Sequence, residues 1–255
     1  MNTVLVVAAR SARDLAKRQV FRRGFACAAL AIGASFFVAK LTIGNWDRTI
    51  LDVGLSAIEI VSVFGAIAVG SSLAERAGAV PENRPPDDVT SPGALLVGRY
   101  LGLVAIAFAN ATLLFGVLAI VLALADFGPS AAAVSAALLI SVEASLIAAF
   151  AVLLSVVSSA KVAAFLSFVL FLAGHVTHEL QALGERSGRV LTKAGAAALY
   201  YLLPDLELFN VKPTAANRLV VPAAFTTSTA LYGLCYAGLV LLAAVLVLER
   251  RAPER

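Results

Sequence analysis

The sequence predicts an all-α integral membrane protein with six transmembrane helices and both termini in the cytoplasm. Three observations carry this expectation. Of 255 residues, 60% are apolar and only 14% are charged, against about 45–50% and about 25% in a soluble domain, so the charges are too few to cover a water-facing surface. Mean hydropathy is +0.91. The apolar residues also gather into long runs, with the basic residues beside those runs rather than in a polar domain of their own. At about 20 residues per span, six spans take roughly 120 residues, which excludes a large catalytic domain outside the membrane. The net charge of +4 and the pI near 9.3 therefore read as topology signals and not as a nucleic-acid surface. Two cysteines and two histidines exclude a disulfide framework and a cysteine-rich zinc or iron–sulfur centre.

The chain divides into a cytoplasmic amphipathic helix, residues 1–23, and a six-span membrane domain, residues 24–255. Residues 3–22 lack proline and interior glycine. Val4, Ala8, Ala12 and Leu15 recur there near helical spacing while Arg10, Arg13 and Lys17 gather on another face, which predicts a helix lying on the membrane surface. It serves either as an anchor to anionic lipid or as a docking surface for a cytoplasmic partner.

Uncharged or nearly uncharged stretches then follow at 24–43, 53–73, 100–125, 130–157, 160–180 and 229–248. Each is a helix because lipid forces a spanning backbone to satisfy its own hydrogen bonds. Only Ser158, Ser159, Ala160 and Lys161 separate the fourth span from the fifth. A hinge belongs there, since one continuous helix would overshoot a hydrocarbon core of about 30 Å.

Orientation follows from the basic residues. Arg10, Arg13, Lys17, Arg18, Arg22 and Arg23 precede the first span against a single acid, Asp14, whereas the next connection holds Arg48 with Asp47 and Asp52. The amino terminus is therefore expected inside, together with Arg76, Arg84, Arg99, Lys161 and the tail of Arg250, Arg251 and Arg255. The long basic stretch before the first span suits an uncleaved anchor better than a signal peptide. This topology puts Cys27 and Cys235 roughly 20 Å apart in depth, beyond the 7 Å or so that a disulfide tolerates. Two free thiols, packing residues, are expected.

Two connections are long. The cytoplasmic loop 74–99 contains Gly78, Pro81, Pro85, Pro86 and Pro92, so 77–92 should be mostly irregular. A short helix restarts near Ser91 with Pro92 at its first position. The segment 181–228 is expected outside and holds Gly184, Pro204, Pro213 and Pro222. Within it Val190, Leu191, Ala194, Ala198, Tyr201 and Leu202 make an apolar stripe ending at Pro204, an interfacial or re-entrant helix that acts as a lipid-facing cover or as a gate.

Glu59, Asn110 and Glu143 are the conspicuous polar residues inside the spans. An acid at bilayer centre costs about 2.5–3.5 kcal/mol on insertion scales and faces a bundle interior or a cavity. Glu143, the deeper carboxylate, either lines a substrate path or bridges helices while protonated, and Asn110 suits interhelical bonding. At the outer end of the fifth span, His175, His178 and Glu179 fall within little more than one helical turn. They are interfacial polar caps or, as the weaker alternative, metal ligands, because a further well-spaced ligand is missing. No Gly-x-x-x-x-Gly-Lys-Ser/Thr loop occurs, so any ATP must bind another polypeptide. A Gly-x-Ser-x-Gly elbow with acid and base partners is absent too.

Several stretches resemble the type-2 permeases of ATP-binding cassette (ABC) exporters, in the copper-enzyme-maturation or gliding-type branch. They are Ile50-Leu-Asp-Val-Gly-Leu-Ser-Ala-Ile58, Gly98-Arg-Tyr-Leu-Gly-Leu103, Glu143 with the Ala-rich run to Ser159, Gly174-His175, and Leu199-Tyr-Tyr-Leu-Leu-Pro-Asp-Leu-Glu-Leu-Phe-Asn210. The last is the most specific, and together they cover nearly the whole chain in order. The resemblance implies a permease in the bacterial inner membrane, a second permease copy as homodimer or related subunit, and a separate ATPase subunit. ATP and magnesium would sit on that partner, with no cofactor or metal on this chain. Residues 3–22 would be the connecting helix, and Arg10, Arg13, Lys17, Glu75, Arg76, Arg84 and Arg99 would couple to the ATPase. Glu143, Asn110 and Glu59 would line or brace the transport path, with His175, His178, Tyr200, Tyr201 and Pro204 at the outer exit. Relatives follow span two with a helical charged segment, whereas Glu75 and Arg76 are followed here by glycine and prolines. That departure motivates the alternative of a non-transporting scaffold with the same fold. A third alternative is a membrane metalloenzyme using His175, His178 and Glu179.

Overall fold

The computed structural model describes residues 2–41, 44–73, 91–176 and 203–251, the first two without their side chains. Its helices, numbered along the chain, are α1 (Asn2–Ala16), α2 (Gln19–Leu41), α3 (Trp46–Gly70), α4 (Pro92–Leu124), α5 (Ala131–Val157), α6 (Ala160–Gly174), α7 (Lys212–Ala216) and α8 (Ala223–Arg251), with a 3₁₀ turn at Glu207–Phe209. No strand occurs among the described residues. Five helices, α2, α3, α4, α5 and α8, are long and apolar enough to cross a membrane, which makes the chain an all-α, multi-pass membrane protein.

The polar punctuation sets the helix starts. Ser91 accepts a hydrogen bond from the Ala94 amide at 3.2 Å, with Pro92 in the first turn, where its missing N–H costs nothing. Ser130 caps α5 in the same way through the Ala133 amide, at 3.1 Å. The expected short helix near Ser91 is in fact the first turns of α4, which runs unbroken for 33 residues. At about 1.5 Å per residue that is some 20 Å longer than the hydrocarbon core, so α4 projects beyond it.

The amphipathic segment divides at Lys17 and Arg18, and Gln19 already belongs to α2. Nor does the apolar stripe of α1 lie on lipid. It packs against α4, where Gly98 and Gly102 form a Gly-x-x-x-Gly face. A Cβ on Gly102 would stand 2.7 Å from the Ala8 carbonyl oxygen and 3.0 Å from the Ala12 amide nitrogen. This is backbone against backbone, the close approach that small residues allow. Leu15 is buried beneath, while Arg10, Arg13 and Lys17 are exposed.

Helix α5 is the central post. It packs against α3, α4, α6 and α8, and its Ala- and Ser-rich surface is buried on nearly every side. Its hydroxyls turn back on their own helix: Ser141 to Ala137 O, Ser145 to Val142 O and Ser155 to Val152 O. Tyr100 Oη donates to Ser145 O at 3.0 Å, tying α4 to the post, and Arg251 donates to Val156 O at 2.8 Å, tying the end of α8. The free cysteines Cys27 and Cys235 both face outward instead of packing inside.

Span five departs from expectation. Predicted over 160–180, it ends as a helix at Gly174 after 15 residues, about 22 Å, and residues 177–180 lie outside those described. Its place is continued by 203–222, a segment expected outside the membrane that is folded into the bundle. Leu206, Phe209, Val211, Ala215 and Ala216 are buried. Leu206 N donates to Gly174 O at 3.1 Å, and Phe209 occupies the space above Gly233 of α8. Arg218 bonds Asp47 at the start of α3, at 2.6 Å. The stripe at 190–202 and the loop 74–90 lie outside the described residues.

The glycine face of α4 yields the first prediction. Gly102→Val should push α1 off α4 and lower stability in detergent by about 1–3 kcal/mol, the usual cost of overpacking. Gly116→Ala, on the same helix with open space around it, should leave stability unchanged or raise it by up to about 1 kcal/mol. Thermal midpoints, with proteolytic release of α1 as the local readout, check both.

Candidate functional site

Glu59 is residue 14 of the 25 in α3, and Glu143 is residue 13 of the 27 in α5. Both carboxylates therefore stand at mid-helix in two spans that pack against each other. They are buried, with Glu143 only 1% exposed. His175 joins them because α6 stops early: it is the C-cap of that helix, directly after Gly174. Gly174 has no room for a side chain, since a Cβ there would meet Leu206 and the Pro204 carbonyl. The buried Pro204 and Leu206 thus press the chain end of α6 into the bundle. Lys212, the first residue of α7, supplies the positive charge and forms an ion pair with Glu59 Oε2.

The geometry around His175 is specific. Its Nδ1 lies 3.1 Å from Phe171 O, and a carbonyl only accepts, so Nδ1 carries the hydrogen and Nε2 is the nitrogen turned toward the carboxylates. The Phe171 ring stands edge-on at 4.7 Å from the imidazole. Nε2 is 3.4 Å from Glu143 Oε1 and 3.7 Å from Glu59 Oε1. These are ion-pair distances without hydrogen-bond geometry: Nε2 and both oxygens of Glu143 are buried and have no hydrogen-bond partner. Ser62, one turn beyond Glu59, also has a buried hydroxyl without a partner. Glu59, Glu143 and His175 each offer one donor atom, all within 4.8 Å of one another, an arrangement able to hold a metal ion.

Only some of the sequence-predicted residues meet. Glu59, Glu143 and His175 come together, His175 inside the bundle and not as an interfacial cap. Asn110 does not join them. It lines a separate cleft of about 280 Å³ with Phe21, Arg22, Phe25, Ile106 and Leu113, and its buried Nδ2 has no partner. Arg10, Arg13, Lys17 and Arg99 lie on α1 and the start of α4, away from the cluster. Glu75, Arg76, Arg84, His178, Glu179, Tyr200 and Tyr201 are outside the described residues.

Lys212 was not among the expected site residues. Its signal was a lysine between apolar Val211 and Pro213, in a segment whose apolar residues Leu206, Leu208, Phe209 and Val211, interrupted by Glu207 and Asn210, suit a core. Beside it lies an open cleft of about 330 Å³ lined by Asp205, Glu207, Asn210 and Thr214. No protein-family model matches this chain, and no curated protein does.

The ion pair sets an asymmetry that can be measured. Lys212→Met leaves Glu59 buried without its counter-charge and should cost about 3–5 kcal/mol. The double variant Glu59→Gln with Lys212→Met should recover most of that loss. Unfolding in detergent, analysed as a double-mutant cycle, checks the coupling.

Proposed function

We propose that this chain is the membrane-spanning permease subunit of an ABC exporter, working as a pair and driven by a separate ATPase. The observation that carries the reading is the docking of α1. A helix outside the five apolar spans is seated closely on Gly98 and Gly102 of α4, through the Val7 side chain at the first and backbone atoms of Ala8 and Ala12 at the second, with Arg10, Arg13 and Lys17 turned outward. An element that receives force from a partner needs both properties, a rigid seat and a charged outer face.

Supporting features agree with it. The chain has no phosphate-binding loop of its own, so its energy source is another polypeptide. The basic end of the bundle, with Arg22, Arg23, Lys161, Arg250 and Arg251, is cytoplasmic by the positive-inside rule, which puts both termini inside a bacterial inner membrane. Buried charge at mid-helix is the common mark of a substrate or ion path. In the cycle, ATP and magnesium on the partner draw the basic ends of two permease copies together and switch a path from inward to outward access. The prolines of 81–92 favour a second reading, a scaffold with the same fold that has lost coupling.

Co-purification with candidate ATPases, followed by stimulated hydrolysis in lipid, separates the two. The exporter reading expects a stable complex whose stimulation disappears when residues 76–90 are replaced by a Gly/Ser linker. Full function with that loop replaced, and no associated ATPase, selects the scaffold. Thiols introduced at Arg10 and Asp47 should label from opposite sides of the membrane, Arg10 from the cytoplasm.

A further inference from the structure

Glu59, Glu143 and His175 approach one point from three separate elements, and the distances decide what belongs between them. A direct charge-assisted hydrogen bond closes to about 2.7–2.9 Å. His175 Nε2 stands instead at 3.4 Å from Glu143 Oε1 and 3.7 Å from Glu59 Oε1. Ligands bound tetrahedrally at about 2.0–2.1 Å are separated by about 3.3–3.4 Å along each edge. The His175–Glu143 separation matches such an edge, and all three donor atoms lie within 4.8 Å of one another, close enough to reach one ion. Glu143, 1% exposed, has neither oxygen hydrogen-bonded, and His175 Nε2 is likewise buried without a partner.

We propose that Glu59, Glu143 and His175 form a binding site for one divalent transition-metal cation of the zinc class. The donor set is one imidazole nitrogen and two carboxylate oxygens, which suits such ions. Copper(I) would want sulfur, and both cysteines face outward. An alkali ion would have no use for the imidazole lone pair. The second contacts are those that orient metal ligands: Phe171 O holds Nδ1 of His175, and Lys212 holds Oε2 of Glu59 and leaves Oε1 toward the site. With neutral His175, the carboxylates of Glu59 and Glu143 against the ammonium of Lys212 give the cluster a formal charge that attracts a cation. Three protein ligands leave a fourth position open, as in metal sites that exchange a ligand. The site does not depend on the exporter reading, because binding is a property of this subunit alone.

The test uses the full chain purified in detergent and stripped with a chelator, then titrated with zinc against a chromophoric competitor. One saturable zinc per chain is expected, and cobalt(II) in its place should give the visible absorption of a four-coordinate nitrogen–oxygen site. Loss of an outer-shell partner alone costs about 10–100-fold in affinity, so Glu143→Gln and His175→Ala should each weaken binding by more than about 100-fold. Asn110→Ala, in the separate cleft, should bind as the wild type does. Should the ligand variants fail to fold, X-ray absorption on the zinc-loaded wild type decides, with one imidazole and otherwise oxygen expected in the coordination shell. Absence of saturable binding, equal affinity in folded ligand variants, or a zinc shell without imidazole overturns the proposal. So does a thermal midpoint that moves with pH but not with zinc, the behaviour of a site that holds only a proton.

Discussion

A carboxylate at the middle of an apolar helix bundle must find a counter-charge or a donor, because neither lipid nor hydrocarbon side chains can replace its water. Glu59 and Glu143 impose this demand at the same level of two packed helices, and the surrounding architecture answers it. Helix α6 stops at Gly174, about 8 Å short of spanning the hydrocarbon core. The room left above it admits 203–222, and with that segment comes Lys212. Non-helical backbone at such depth is tolerated only when protein buries it. Here the Leu206 amide is taken by Gly174 O, and Leu206, Phe209 and Ala215 are fully covered. The broken span and the buried charge are two aspects of one solution.

Around this solution α5 acts as a fixed post. Its alanines let α3 and α8 approach closely, so van der Waals contact and not a hydrophobic driving force holds the helices, as expected inside lipid. Its buried serines Ser141, Ser145 and Ser155 bond to carbonyls three or four residues back, which keeps their hydroxyls from disturbing the apolar contacts. Glu143 is the exception on that surface, the one acidic side chain of α5. A group that the rest of the helix is built to avoid is there for what it faces.

The elements of the bundle were readable from the sequence where a single local signal decides. Ser91 with Pro92 and Ser130 mark helix starts through their own hydrogen bonding, and 20-residue apolar runs mark spans through the thickness of the bilayer. The amphipathic stripe of Val4, Ala8, Ala12 and Leu15 was legible too, but hydropathy cannot tell a lipid surface from a neighbouring helix. The Gly98–Gly102 pair carried that missing information. Glu59 and Glu143 stood out as acids in apolar runs. His175 was assigned to the outer rim because the run to 180 counts as a whole span, and composition does not register that its helix ends early. Lys212 stood out locally only as a lysine among apolar neighbours, and its pairing was not legible, since its partner Glu59 lies 153 residues away and only tertiary folding joins them.

The two ends of the proposed machinery are mechanically continuous. Helix α1 meets α4 at Gly102 through the Ala8 carbonyl, the Ala12 amide and the short Ser11 side chain, a close contact with little room to absorb a displacement. Two residues earlier, Tyr100 passes from α4 to the Ser145 carbonyl of α5. Ser145 lies two residues from Glu143, within the same helical turn. A force applied to the basic face of α1 therefore reaches the buried carboxylate through close-packed and hydrogen-bonded contacts alone. Packed interiors respond to such a load by moving as units and not by deforming smoothly. Glu143 itself makes no hydrogen bond and stands 3.4 Å from His175 Nε2. Under the exporter reading, the cluster is thus the place where movement at the membrane surface becomes a change in charge environment at the membrane's centre.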